Sequence, residues 1–281
     1  MSRPHSFAPP ACARARTLAT SRGDFAVIEA LPAGEAVATA VLLPGFTGSK
    51  EDFNALLEPM AAAGYRVVSV DGRGQYESAP PADPGGYAQA ELAADVLAQA
   101  EALGAPVHLL GHSFGGHIAR AAVLLDARPF RSLTLMSSGP AEISRTERER
   151  AKLLIDALAV MTMEQVWNAM AEMAPMEETP VDGDDLRRRW MATDPAQLVA
   201  AAGLLVAEPD RVDELAAVRP PLPLHVVSGD EDGIWPPALL DDMARRLGAR
   251  RTVVPDAGHS PNTDRPDPTA AALIGFWDDQ R

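Results

Sequence analysis

The chain has 281 residues, of which 47% are hydrophobic and 23% charged; this is the balance of a globular protein with one large core and room for an inserted subdomain, and it excludes a disordered chain. The formal net charge of −14 repels phosphate backbones and anionic lipid heads, which argues against nucleic acid as a partner. The single cysteine, Cys12, can form neither an internal disulfide nor a thiolate metal cluster.

The first residues, MSRPHSFAPPACARARTLATSRGDF, are basic and lack the apolar run of a secretory signal. Residues 1–24 are therefore expected to be a poorly structured lead. No stretch reaches the ~18 consecutive apolar residues of a membrane span, so no membrane insertion is expected. With one cysteine and no signal, the expected location is cytoplasmic.

Short apolar runs then alternate with helical patterns. ATAVLLPG (38–45) reads as a buried strand ending in a turn, and FNALLEPMAAAG (53–64) as a helix. YRVVSVDGRG (65–74) is a second strand and turn, followed by the amphipathic helix YAQAELAADVLAQAEALG (87–104). PVHLLGHS (106–113) and SLTLMSSGP (132–140) are strands flanking the helix HIARAAVLLDA (117–127). Continuous apolar strands between helices imply a parallel sheet covered on both faces.

Residues 141–215 break this rhythm, with helical patterns at RERAKLLIDALAVM, MEQVWNAMAEMA, DDLRRRWMA and PAQLVAAAGLLVA. The alternation resumes with strands at LHVVSG (224–229) and RTVVPD (251–256), separated by PPALLDDMARRLG and followed by PTAAALIGFWDDQ. The expected organisation is an α/β core of residues 25–140 and 216–281, interrupted by a helical insertion at 141–215.

Gly111-His112-Ser113-Phe114-Gly115 follows an apolar strand and opens a helix. That is the context in which G-x-S-x-G forms a nucleophile elbow, with the serine on a sharp turn and a helix dipole aimed at the site. A serine hydroxyl needs a base. His5 falls in the lead, and His108 and His225 sit inside strands. His112 and His117 flank the serine and are expected to be structural. His259 lies in PDAGHSPNTDRPD, directly after the last strand, where an α/β sheet presents its reactive groups. VVSGDEDGIWPP offers Asp230, Glu231 and Asp232 to orient that histidine. The chain order Ser, Asp, His is that of an α/β hydrolase.

With these motifs in place, the chain resembles the α/β-hydrolase superfamily, in its capped branch of esterases, lipases and related serine hydrolases. The resemblance runs from about residue 25 onward and rests on LLPGFTGSKEDF, DGRGQYES, GHSFGG and the pair GDEDGIWP with AGHSP, in that order. It implies a mostly parallel central sheet with helices on both faces and an inserted helical cap. It implies Ser113 as nucleophile, His259 as base and Asp232 as the orienting acid, with Asp230 as the alternative. The implied oxyanion donors are the backbone N–H groups of Phe114 and Phe46. Pro44 stands where the family usually has histidine, and Tyr76 where DGRGQYES would usually have a second glycine. Asp71 and Arg73 are expected to tie down loops.

In the insertion, Met161, Met163, Met170, Met173, Met176 and Met191, with Trp167 and Trp190, are expected as cap core with some share in the pocket. The run Arg187, Arg188, Arg189 is expected on a solvated helix face. The implied activity is hydrolysis of a carboxylic ester in a small or medium, partly apolar substrate, with no metal or organic cofactor. Thioester, amide, lactone or carbon–carbon hydrolysis, acyl transfer and perhydrolysis use the same triad, and a non-catalytic small-ligand receptor shares the fold.

Overall fold

The computed structural model describes residues 2–173 and 183–281. Its strands are β1 (Ala13–Thr20), β2 (Gly23–Ala30), β3 (Ala38–Leu43), β4 (Tyr65–Val70), β5 (Val107–His112), β6 (Phe130–Met136), β7 (Leu224–Gly229) and β8 (Arg250–Val254). They form one sheet in the order β1-β2-β4-β3-β5-β6-β7-β8. From β4 to β8 all neighbours are parallel, and β1 and β2 add an antiparallel edge.

Successive strand residues face opposite sides, and both sides are buried. Val41, Leu43 and Leu109 pack on one face with α2 (Gln89–Ala102) and α3 (Phe114–Leu125). Ala40, Leu42 and Leu110 pack on the other with α1 (Asn54–Ala62) and the C-terminal helix Pro266–Asp278. This double burial is why the parallel strands read as unbroken apolar runs.

Within the lead expected to be poorly structured at residues 1–24, residues 13–20 instead form a strand. β1 pairs with β2 along its whole length, from Ala13 opposite Ala30 to Thr20 opposite Gly23. Only Leu18 of β1 is buried, so the strand carries no apolar signature. It is held by ladder hydrogen bonds and by Arg14 and Arg16, which pair with the buried Glu29 of β2 at 3.4 and 2.8 Å.

Between β6 and β7 lie α4 (Arg145–Val160), α5 (Met163–Met173), α6 (Gly183–Ala192), α7 (Pro195–Ala207) and α8 (Val212–Ala216). Val166, Trp167, Leu186, Trp190 and Leu198 form a small core of their own within this insertion. Met176 lies outside the described residues.

The three arginines expected on a solvated face divide. Arg187 and Arg188 are exposed and pair with Glu164 and Asp185. Arg189 is 1% exposed and pairs with Asp52 at 3.0 Å. Three consecutive helical residues sweep about 200°, at 3.6 residues per turn, so they cannot share one solvated face.

After β7 come α9 (Pro237–Leu247), α10 (Pro261–Asp264) and α11, the helix Pro266–Asp278 already described. Among the described residues, no single helix is long and apolar enough to cross a membrane.

Candidate active site

Ser113 occupies the turn between β5 and α3 with φ 52° and ψ −120°, a region that costs a non-glycine residue ~1–3 kcal/mol and persists only where its surroundings enforce it. Here its N–H donates to the carbonyl of Met136, and its own carbonyl accepts from Gly116 N–H, both at 2.9 Å. A Cβ on Gly111 would lie 2.3 Å from the carbonyl oxygen of Gly115, and one on Gly115 would lie 2.4 Å from that of Leu43. The two glycines of the pentapeptide are thus required by close backbone approach.

His259 stands in the loop between β8 and α10. Its Nε2 is 2.9 Å from Ser113 Oγ and its Nδ1 is 3.0 Å from Asp232 Oδ1. A carboxylate only accepts hydrogen bonds, so Nδ1 carries the proton and Nε2 is left to accept from the serine hydroxyl. Asp232 follows β7 with its side chain fully buried. The same Oδ1 accepts from the N–H groups of Ile234 at 2.9 Å and Trp235 at 3.2 Å. Burial pushes the Asp232 carboxyl upward, but the hydrogen bonds from His259 and the two amides outweigh it and hold it below its ordinary value. Asp230 is exposed and accepts instead from Ala257 N–H at 3.3 Å. The structure therefore brings Asp232, not Asp230, to His259.

Phe114 is the first residue of α3, so its N–H has no acceptor within the helix. Phe46 lies on the loop after β3, beside Gly45, whose position for a Cβ is 3.1 Å from Ser113 Cβ. That loop does not depend on a histidine at position 44. Gly45 O accepts from Gly48 N–H at 3.2 Å and from Gln75 Nε2 at 3.1 Å.

DGRGQYES thus carries a link to the Gly45–Phe46 loop that the sequence reading missed. Its other expected roles appear as ties: Arg73 donates to Asp95 Oδ2 at 2.7 Å, and Asp71 accepts from Lys50 Nζ at 2.8 Å. Tyr76 keeps φ 44°, in the region glycine favours, with the Lys50 ammonium 4.6 Å above its ring.

The remaining histidines are structural or supporting. His108 Nδ1 meets Ser132 Oγ and His225 Nε2 meets Thr252 Oγ1, each at 2.8 Å. Burial pushes their pKa values down to about 4 and about 3. His117 is buried against Trp235, 5.4 Å between ring centroids. His112 Nε2 reaches the carbonyl oxygen of His259 at 2.9 Å, a connection that nothing in the sequence announced. His5 bonds the carbonyl of Thr263.

Ser113 and His259 open onto a cavity of about 680 Å³. Its far walls are apolar and come from the insertion, with Leu154, Met161, Val166, Met170 and Trp190 among them. Glu147 and Arg150 of α4 add a paired charge at its edge. Of the insertion's methionines, Met161 and Met170 line the cavity, Met163 packs in the insertion's core and Met191 is exposed. Among the described residues, no group of three or more His, Cys, Asp or Glu side chains is placed to hold a metal ion.

Comparison with known proteins agrees with this architecture. The chain is 35% identical over 147 residues to 2-hydroxy-6-oxononadienedioate/2-hydroxy-6-oxononatrienedioate hydrolase 1 of Dechloromonas aromatica, covering 49% of this chain and 50% of that protein. It is 33% identical over 217 residues to the pimeloyl-[acyl-carrier protein] methyl ester esterase of Aeromonas hydrophila, covering 74% of this chain and 83% of that one. The crystal structure of a hydrolase from Pseudomonas aeruginosa superposes with a TM-score of 0.75 at 23% identity, over 94% of this chain and 98% of that one. The profile of the alpha/beta hydrolase family matches residues 40–272, and the chain belongs to that family.

Proposed function

We propose that the protein is a serine hydrolase that cleaves a carboxylic ester of a small or medium, partly apolar substrate, with residues 141–215 serving as its cap. The observation that carries this reading is the continuous hydrogen-bonded line Ser113–His259–Asp232 at the floor of a largely apolar cavity.

Ser113 Oγ attacks the ester carbonyl while His259 Nε2 takes its proton. Asp232 holds the imidazole tautomer and stabilises the imidazolium. Negative charge develops on the carbonyl oxygen, where the N–H groups of Phe46 and Phe114 receive it; losing one such donor costs ~100- to 1,000-fold in rate. His259 then protonates the leaving alcohol, and water, activated by the same histidine, releases the acid. The apolar walls favour a substrate with a hydrocarbon portion, since each buried methylene contributes about 0.8 kcal/mol.

A methyl ester is the named substrate class of the Aeromonas relative, which supports the ester assignment. The Dechloromonas relative is named for a keto dicarboxylate without an ester bond, and it favours carbon–carbon hydrolysis as a second reading on the same residues.

The test is intact-mass analysis after exposure to a fluorophosphonate, beside Ser113→Ala. One adduct per chain on the wild type and none on the variant is expected, with turnover of p-nitrophenyl esters. A folded wild type that takes no adduct would sink the reading. Adduct formation without turnover of any ester, but with cleavage of a vinylogous diketone, would establish the second one.

A further inference from the structure

We propose that residues 2–8 form a wall of the substrate cavity and limit the length of the apolar chain that the site admits. The proposal rests on the hydrolase reading above.

Ser2 lines the same cavity as Ser113 and His259. The segment that carries it there is fastened at separate points. Asn54 Nδ2, at the start of α1, donates to the carbonyls of Ser6 at 2.8 Å and Ala8 at 3.3 Å. His5 bonds the carbonyl of Thr263 in α10, the short helix that follows the His259 loop. Arg189 of α6 donates through Nη2 to the carbonyl of Ser2. The Phe7 ring lies 5.5 Å from the Arg189 guanidinium and edge-on to Tyr76 at 6.3 Å.

Arg189 makes this wall rigid. Its side chain is 1% exposed, and its Nη1 bonds Asp52 Oδ1 at 3.0 Å and Ser49 Oγ at 3.3 Å. A guanidinium held this way cannot swing out, so the carbonyl it grips stays at the cavity. The next residue of α6, Trp190, lines the same cavity. The segment therefore bridges the insertion, the oxyanion-loop side of the core and the turn after His259. Ordering it costs conformational entropy for each residue fixed. An edge-covering role for the sheet would need none of these bonds, because β1 begins only at Ala13.

The test compares the rates at which ethyl and octyl fluorophosphonates label Ser113, read by intact mass. Labelling reports chain length without requiring that the natural reaction be known. Two variants are made, a deletion of residues 2–8 and Ser2→Trp. Each seated methylene is worth about fourfold, so opening room for two raises the octyl-to-ethyl ratio about tenfold or more in the deletion. Ser2→Trp is expected to lower the ratio by a similar factor. A ratio unchanged in both variants overturns the proposal. If circular dichroism shows that the deletion does not fold, Ser2→Trp alone decides, and an unchanged ratio there overturns it. A wild type that takes neither reagent overturns the hydrolase reading and this proposal with it. Labelling that is normal but blind to both changes overturns only the wall.

Discussion

His112 donates its Nε2–H to the carbonyl oxygen of His259 at 2.9 Å, with the two rings 5.2 Å apart. The residue before Ser113 thus fixes the backbone of the histidine whose Nε2 lies 2.9 Å from Ser113 Oγ. Burial first, and the neighbouring His259 second, push the His112 pKa down to about 3. It therefore stays neutral through the working range and acts as a constant donor. His112→Leu is expected to lower kcat/KM, by up to ~100-fold for a displacement near 1 Å. The pH–rate profile should keep its shape, because the lost group does not titrate there. The unpaired His259 carbonyl should also cost about 1–3 kcal/mol of stability. His112→Gln, which restores a donor, should recover part of both. Ester kinetics across pH, with urea unfolding alongside, check this; wild-type kcat/KM in His112→Leu would show that the His259 loop stands without the bond.

Asp232 concentrates three hydrogen bonds on one oxygen, from His259 Nδ1, Ile234 N–H and Trp235 N–H. Asp232→Asn keeps the shape, and its amide oxygen can still accept from the two backbone N–H groups and from Nδ1, but the negative charge that stabilises the imidazolium is gone. The expected loss in kcat is up to ~10,000-fold. Fluorophosphonate labelling should slow in parallel. A loss confined to KM would show that Asp232 does not act through His259.

Most of the parallel sheet was legible because its strands are buried on both faces. β3 and β5 are fully or largely buried runs, and such runs need no tertiary information to be recognised. The elbow was legible because Gly111 and Gly115 meet backbone at distances no Cβ tolerates. β1 was not, since its pairing rests on backbone bonds and on Arg16 to Glu29 rather than on apolar residues. Gln75 to Gly45, His112 to His259 and Arg189 to Asp52 span 30, 147 and 137 residues. Contacts of that span follow from how loops pack on the finished sheet, and local pattern carries no trace of them. The Arg187–Arg189 run shows the same limit: composition suggested one solvated face, while helical geometry turned its last member into the core.

Glu29 is 3% exposed and accepts from Arg16 and Arg66. The hydrogen bond from Arg16 leads, burial opposes it, and Arg66 adds to it, so the carboxyl is lowered from 4.5 to about 2. A depressed folded-state pKa means the carboxylate stabilises fully above its unfolded value and loses that contribution as pH falls through the folded one. The window here runs from 4.5 down to about 2. Wild type should therefore exceed Glu29→Gln in urea midpoint at neutral pH, and the gap should close across that window. A gap independent of pH would mean that Glu29 contributes by packing and not by its charge.

Arg189 and Asp52 form a buried ion pair between α6 and the short helical turn Lys50–Phe53, with side chains 1% and 0% exposed. Taking two charges out of water is expensive, so the pair as a whole contributes little, whereas half of it is a liability. Arg189→Met strands the Asp52 carboxylate and is expected to cost about 3–5 kcal/mol, which lowers the melting temperature by about 10 °C in a chain of this size. Asp52 also accepts from Ser49 N–H at 3.3 Å, so Asp52→Leu loses a capping contact of ~1 kcal/mol besides stranding the guanidinium. The double variant removes both charges together. It should melt above Arg189→Met, with losses well short of the sum of the two single changes, because residues in contact couple. Calorimetry on the three variants measures that coupling. Strictly additive losses would mean that the two side chains do not stabilise one another, and that α6 is docked by its apolar residues alone.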